Sequence, residues 1–240
     1  MFRMQHLRHL QARALRLGGF VCPGCGPSLI FRYGLDETQV RCLRCAGTPI
    51  HLSLIDCLVK HAGDLAARDA YELSGAGTLV GFLRRRCRSV ITSEFFDATP
   101  PGSMMEGVRC EDVQRLSFDD ASFDLCTSTE VFEHVPDDRA GFRELHRVLR
   151  PGGLCVFTVP LTGSATTVER VKLVGDHIEY LQPPAWHGDR LRGPARVLVY
   201  RDYGTDICQR LRDSGFGDAR IGDPPRLFCG HARKVVVATR

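Results

Sequence analysis

Apolar residues at helical spacing, Leu52, Leu54, Ile55, Leu58 and Val59, mark a helix within His51–Asp69. Beyond it the pattern changes to short apolar runs separated by turn formers. Tyr71-Glu72-Leu73 leads through Ser74-Gly75-Ala76-Gly77 into the apolar and basic run Leu79–Cys87, which reads as a strand, a tight glycine turn and a helix. A second strand, Ser89–Ser93, ends in Glu94, and Val108–Val113 follows it. Ser122–Leu125 enters a fourth strand, Arg139–Leu149 is a helix capped by Asp137 or Asp138, and Leu154–Val159 is a fifth strand after the Pro151-Gly152-Gly153 turn. Thr162–Arg201 holds too many turn formers for one regular element. Asp206–Ser214 then reads as a helix and Lys234–Thr239 as the last strand. Strands alternating with helices predict an α/β fold with a doubly wound, mostly parallel sheet.

A different pattern precedes this. Cys22-Pro23-Gly24-Cys25 and Cys42-Leu43-Arg44-Cys45 are two C-x-x-C knuckles sixteen residues apart. Four thiolates at that spacing suit one tetrahedral, structural Zn²⁺ of the ribbon type, with no open coordination position for catalysis. Ser28–Tyr33 and Thr38–Val40 can pair between the knuckles, turning at Gly34-Leu35-Asp36. Disulfides would need an oxidising compartment, yet Cys57, Cys87, Cys110, Cys126, Cys155, Cys208 and Cys229 are scattered singly. Cys110, Cys126 and Cys155 fall in predicted strands, as small buried apolar side chains do.

Composition narrows the picture. At 240 residues and 43% hydrophobic, the chain can bury one α/β core and one small metal-dependent module. No apolar run approaches the ~18 residues that span a bilayer, so a cytoplasmic location is expected. The net charge is only +4, with arginine outnumbering lysine 29 to 3, which reflects coding composition rather than a nucleic-acid surface. Residues 1–35 contain no acid, and Arg3, Arg8, Arg13 and Arg16 alternate with Leu7, Leu10, Ala14 and Leu17. This predicts a basic helix over residues 1–20 that packs on the core, although its pattern is also that of a transit peptide or a membrane-surface helix. The expected organisation is this helix, a zinc-ribbon module (21–50), a connecting helix (51–69), and the α/β domain (70–240) with an insertion at 162–203.

The ordered set from Glu72 through Glu94, Asp112, Phe118, Ser122-Phe123-Asp124-Leu125, Glu133-His134 and Arg150-Pro151-Gly152-Gly153 resembles the class I S-adenosylmethionine-dependent methyltransferases, particularly those acting on small molecules. About 90 residues carry the resemblance. It implies a Rossmann-like fold that binds S-adenosylmethionine. Glu72 would lie near the methionine amino group, Ser74, Gly75, Ala76 and Gly77 would form the cofactor loop, and Glu94 would hold the ribose. Asp112 and the Val113 backbone would contact adenine, and Ser128–Glu130, with Thr129 at its centre, would lie beside the methionine part. The family usually has glycine where this chain has Ser74, Ala76 and Thr78, so a β-carbon there could redirect the loop. Gly75, Gly77 and Gly81 also approach a nicotinamide-dinucleotide fingerprint, which leaves Asp112 and the Gly152-Gly153 turn without a purpose.

Methyl transfer chiefly needs an acceptor aligned with the sulfonium and, where required, deprotonated. His134 after the fourth strand is one base candidate, balanced by a structural role at a helix start. His187, beside Trp186 and with His177 nearby in sequence, is the second, and Arg201-Asp202-Tyr203-Gly204 is a candidate neighbour. Glu130, Glu133 and His134 also stand at the spacing with which ubiquinone-pathway O-methyltransferases gather a divalent ion, a spacing shared by metal-free relatives. The leading expectation is a methyltransferase for a small-molecule or glycan-type acceptor. An RNA methyltransferase using Arg32, Arg41 and Arg44, or a non-catalytic zinc-ribbon interaction protein with an altered cofactor loop, are the competing readings.

Overall fold

A computed structural model describes residues 15–175, 177–189, 193–224 and 226–240. The chain opens with three antiparallel strands, β1 (Arg16–Cys22), β2 (Gly26–Arg32) and β3 (Val40–Cys42), in the order β1-β2-β3. The expected hairpin between the knuckles is therefore β2–β3, with Ile30 opposite Cys42. Arg16–Cys22 is a strand, not the end of a helix. It pairs with β2 along its whole length, from Arg16 opposite Arg32 to Cys22 opposite Gly26, so the first knuckle is itself a hairpin turn. Residues 1–14 of the expected basic helix lie outside the described residues.

Helix α1 (Pro49–His61) follows, starting with proline in its first turn and stopping short of the expected Asp69. Gly63, with φ +64°, takes the left-handed conformation that ends helices cheaply, and the chain turns from there into the sheet. Next come β4 (Asp69–Glu72), α2 (Thr78–Arg86), β5 (Ser89–Glu94), β6 (Met104–Met105), β7 (Val108–Cys110), β8 (Phe123–Thr129), α3 (Asp138–Val148) and β9 (Leu149–Thr158). The Asp137 carboxylate accepts from the Ala140 amide at 3.0 Å and caps α3, as expected.

The stretch expected to be irregular folds into small antiparallel pairs: β10 (Val168–Glu169), β11 (Val171–Val174), β12 (His177–Tyr180), β13 (Trp186–Asp189), β14 (Gly193–Leu198) and β15 (Arg201–Asp202), paired as β10–β15, β11–β12 and β13–β14. The side chains of β11 and β12 are exposed apart from Val171, so no hydrophobic alternation marks that pair. Helix α4 (Ile207–Asp213), β16 (Asp218–Gly222) and β17 (Val235–Thr239) complete the fold.

The main sheet has the order β16-β17-β9-β8-β4-β5-β7-β6. β4 is parallel to β5 and β8, β5 to β7, and β8 to β9, whereas β17 runs antiparallel between β9 and β16. The doubly wound, mostly parallel sheet is thus present, but with an antiparallel strand inserted near one edge, which the nicotinamide-binding order lacks. One face is covered by α3 and α4 through Phe142, Leu145, Val148, Ile207 and Leu211, the other by α1 and α2 through Leu54, Leu58, Leu79, Phe82 and Leu83. Cys110, Cys126 and Cys155 are fully buried in strands. Strand order reverses between β4 and β8. In open α/β sheets ligands bind outside the carboxyl ends at such a switch point.

Among the described residues, no helix is long and apolar enough to cross a membrane.

Candidate functional site

The carboxyl ends of β4 and β8 are in register, Glu72 beside Thr127. Glu72 is 1% exposed, and the Thr127 hydroxyl donates to its carboxylate. Burial pushes this carboxyl up to about 8. Beyond it the chain turns through Ser74–Gly77, and the Gly75 amide donates to Glu94 Oε1 at 2.9 Å. A β-carbon at Gly75 would meet the Glu94 side chain at 3.1 Å, so glycine is what allows the acid at the end of β5 to reach the loop. Gly77, with φ +131° and ψ −173°, sits where side chains are strained and turns the chain into α2.

Thr78 explains itself here. Its hydroxyl donates to the Cys45 carbonyl at 2.9 Å, so the residue that departs from the family's glycine is a contact with the second knuckle. Its side chain is engaged by the N-terminal module.

Register places Glu94 beside Cys110, and Asp112 and Val113 follow two and three residues later. Asp112 Oδ1 accepts from the Gln114 amide and side chain at 2.9 and 3.0 Å, while the Val113 side chain is buried in the core. At the end of β8, Ser128 Oγ and Thr129 Oγ1 are buried without a hydrogen-bond partner among the described residues. Orphaned hydroxyls beside a buried acid, a glycine turn and a second acid are the polar complement of a ligand with amino, carboxylate and diol groups.

If a cationic ligand group meets Glu72, it favours the ionised carboxylate, whereas the unliganded carboxyl still holds its proton at pH 7. Binding at pH 7 should therefore release up to about one proton, with the release fading above pH 8. Calorimetry in buffers of different ionisation enthalpy checks this; a buffer-independent enthalpy, or the same release from Glu72→Gln, would place the ligand elsewhere.

After β8 the chain makes a short helical turn at Phe132–His134. His134 and His187, expected separately, are brought together: His187 Nδ1 lies 3.1 Å from His134 Nε2, with the rings edge to face. The Leu198 carbonyl accepts from His134 Nδ1 at 2.8 Å, which fixes the tautomer with its lone pair on Nε2. Glu133, which spacing grouped with Glu130 and His134 as a candidate ion ligand, joins them, its Oε1 3.7 Å from His134 Nε2 and 3.8 Å from His187 Nδ1. Burial and the neighbouring Glu130 raise its carboxyl well above the usual carboxylate range. Glu130 is not in this cluster: Arg233 holds its Oε2 at 3.0 Å.

Trp186 is 47% exposed rather than packed down, and His177 lies exposed on β12, outside the cluster. Arg201 and Tyr203 do not join the acceptor group. Both are buried, Arg201 donating to the Val135 carbonyl at 2.6 Å and Tyr203 to Asp138 at 2.8 Å, so they brace the turn that carries His134.

The four knuckle sulfurs form a second cluster, with Cys22 Sγ 3.7 Å from Cys45 Sγ and Cys25 Sγ 3.6 Å from Cys42 Sγ. Four sulfurs about 2.3 Å from a tetrahedral zinc stand about 3.8 Å apart, so the set fits the ion, and a disulfide's ~2.05 Å does not describe it. The adjacent Cys45 thiol pushes Cys22 up, and burial raises Cys25 to about 12, crowding that a bound cation relieves. The module is tied to the main domain. Arg226 pairs with Asp56 at 2.6 Å and donates to the Val21 carbonyl, Arg85 donates to the Gly24 carbonyl at 3.0 Å, and Arg233 bridges Glu37 and Glu130. Arg44 donates to the Cys25 carbonyl and Arg41 to that of Val40. Two of the three arginines considered for RNA thus serve the module itself.

Residues 74–157 match the model of a family described as a methyltransferase domain. Over 66 residues the chain is 42% identical to demethylmenaquinone methyltransferase of Mycolicibacterium gilvum, a stretch covering 26% of this chain and 29% of that protein. Over 79 residues it is 35% identical to sarcosine/dimethylglycine N-methyltransferase of Halorhodospira halochloris, covering 32% and 28%. The chain thus spans less than a third of the length of these curated relatives. Among solved structures, an S-adenosylmethionine-dependent methyltransferase from Mesorhizobium loti matches with a TM-score of 0.51 at 17% identity, covering 78% of this chain and 98% of that one. The fold is that of the class I methyltransferases.

Proposed function

We propose that the chain is an S-adenosylmethionine-dependent methyltransferase acting on a small molecule. The observation that carries this is the polar set at the β4/β8 switch point: buried Glu72, the Ser74–Gly77 turn pinned to Glu94, Asp112 with the Val113 backbone, and the unpartnered hydroxyls of Ser128 and Thr129. Of the three departures from the family's glycines, Thr78 does not argue against cofactor binding, because its hydroxyl is turned to the ribbon. The small-molecule acceptors named for the matched relatives support the acceptor class over a glycan or RNA.

The cofactor supplies a methyl group on a sulfonium. The protein's own residues hold its charged ends and present the acceptor. His134 and His187 carry the acceptor chemistry by promoting loss of the acceptor's proton, since together they stand beside the end of β8 with a defined tautomer. Cys22, Cys25, Cys42 and Cys45 hold one structural zinc, and the module it folds braces α2 immediately after the cofactor loop.

Calorimetric titration with S-adenosylmethionine, followed by transfer of a radiolabelled methyl to a panel of quinols, phenols and small amines, tests the reading. Lack of cofactor binding by folded protein would leave a zinc-ribbon interaction protein; labelling of ribosomal RNA but not of the panel would establish the RNA alternative. Glu94→Ala and Asp112→Ala should each weaken cofactor binding by about 1–3 kcal/mol. Parent-like affinity in both folded variants would remove the cofactor assignment.

A further inference from the structure

Glu133, His134 and His187 come from two distant stretches of chain, yet their ligating atoms all lie within 4.8 Å of one another. The separations are 3.1, 3.7 and 3.8 Å. Ligands about 2.1 Å from a tetrahedral ion stand about 3.4 Å apart, so shifts of a few tenths of an ångström would place all three on one ion. Two further observations point to a ligand. Glu133 is 1% exposed, and neither of its carboxylate oxygens has a hydrogen-bond partner among the described residues, a costly state that a cation relieves. The Leu198 carbonyl accepts from Nδ1 of His134, which leaves Nε2 as the ring's lone-pair nitrogen on the side of the cluster, the outer-shell arrangement that orients metal-bound imidazoles. The same hairpin, β13–β14, supplies both His187 and Leu198. Nearby guanidiniums are already offset: Arg201 pairs with Glu169 at 3.0 Å, and Arg233 with Glu37 and Glu130.

The geometry points to a divalent transition-metal site formed by Glu133 Oε1, His134 Nε2 and His187 Nδ1. Two imidazoles and one carboxylate suit zinc, cobalt, iron or manganese better than magnesium or calcium. Three protein ligands leave a position open, unlike the closed thiolate set of the ribbon. The role of the site rests on the methyl-transfer reading. An acceptor hydroxyl bound at the open position loses its proton to solvent. Its oxygen lone pair then forms the O–CH₃ bond as the S–CH₃ bond of S-adenosylmethionine breaks. The sulfur keeps the bonding pair and leaves as the thioether S-adenosylhomocysteine, and the ion changes neither charge nor oxidation state.

The test uses the full chain without a histidine tag, its ribbon already loaded with zinc, titrated with Co²⁺ in the absence of cofactor and acceptor. One further equivalent of Co²⁺ should bind, with visible absorption lacking the thiolate-to-cobalt charge-transfer band. Affinity should fall at least about tenfold in His187→Ala, whose side chain is 44% exposed on a hairpin and can be removed without unfolding the core, and likewise in Glu133→Gln. Absence of saturable Co²⁺ binding, a thiolate band, or parent-like affinity in His187→Ala would each overturn the site. A protein that binds Co²⁺ as expected but never binds S-adenosylmethionine would keep the site and lose the methyl-transfer reading instead.

Discussion

Replacing Cys42 with serine should reduce zinc from about one per chain to a small fraction of that and unfold the N-terminal module. Structural zinc contributes an apparent ~10–16 kcal/mol in small zinc-dependent folds, and losing one thiolate forfeits a large share of it. The module's own buried core is small: Cys22, Ile30, Val40, Cys42, Leu52 and Phe228, and two of those six are proposed zinc ligands. The damage should reach the cofactor. The Cys45 carbonyl accepts from Thr78 and the Gly24 carbonyl from Arg85, so an opened ribbon releases both ends of α2, the helix that begins at the cofactor loop. Cofactor affinity should fall by about 1–2 kcal/mol, the worth of the lost hydrogen bonds. Elemental analysis, thermal unfolding and calorimetric titration check the three effects. Full zinc content in Cys42→Ser would refute the thiolate site, and parent-like cofactor affinity with the module unfolded would refute the brace.

His187→Ala should lower kcat for methyl transfer by about 10²- to 10⁴-fold, the usual range for losing a group on which acceptor deprotonation depends, while leaving cofactor affinity nearly unchanged. The expectation follows from position. His187 meets His134 beyond the end of β8, whereas Glu72, Gly75 and Glu94 meet around the loop after β4. Radiolabelled transfer to the acceptor identified from the panel measures kcat, and calorimetry measures the cofactor. Unchanged kcat would make β13–β14 a mere cover. A collapse of cofactor affinity with kcat intact at saturation would move His187 into the cofactor site.

Much of this molecule was legible without coordinates because its signals are local. The strand, glycine turn and helix from Asp69 to Arg86, the acid ending β5 and the Asp137 cap each depend on residues a few positions apart. The two knuckles are local as well, and their sulfurs converge as the spacing requires. What went unread had no local signal. β1 looked helical because a leucine and arginine pattern serves either element, and only pairing with β2 decides for a strand. The β11–β12 pair is too exposed for hydrophobic alternation to announce it.

The sequence by itself determined most elements of the α/β domain, the turn that joins Glu72 to α2 and the four-cysteine set, because backbone preference, burial and ligand spacing act over short stretches of chain. Tertiary structure alone decided what depends on contacts between distant segments. It assigned Thr78 to the ribbon and Glu130 to Arg233, and it converted Arg201 and Tyr203 from candidate acceptor contacts into buried braces. It also brought His187 to His134 across 53 residues and left the buried Glu133 carboxylate facing both, a juxtaposition set by how the β13–β14 hairpin folds back over the end of β8.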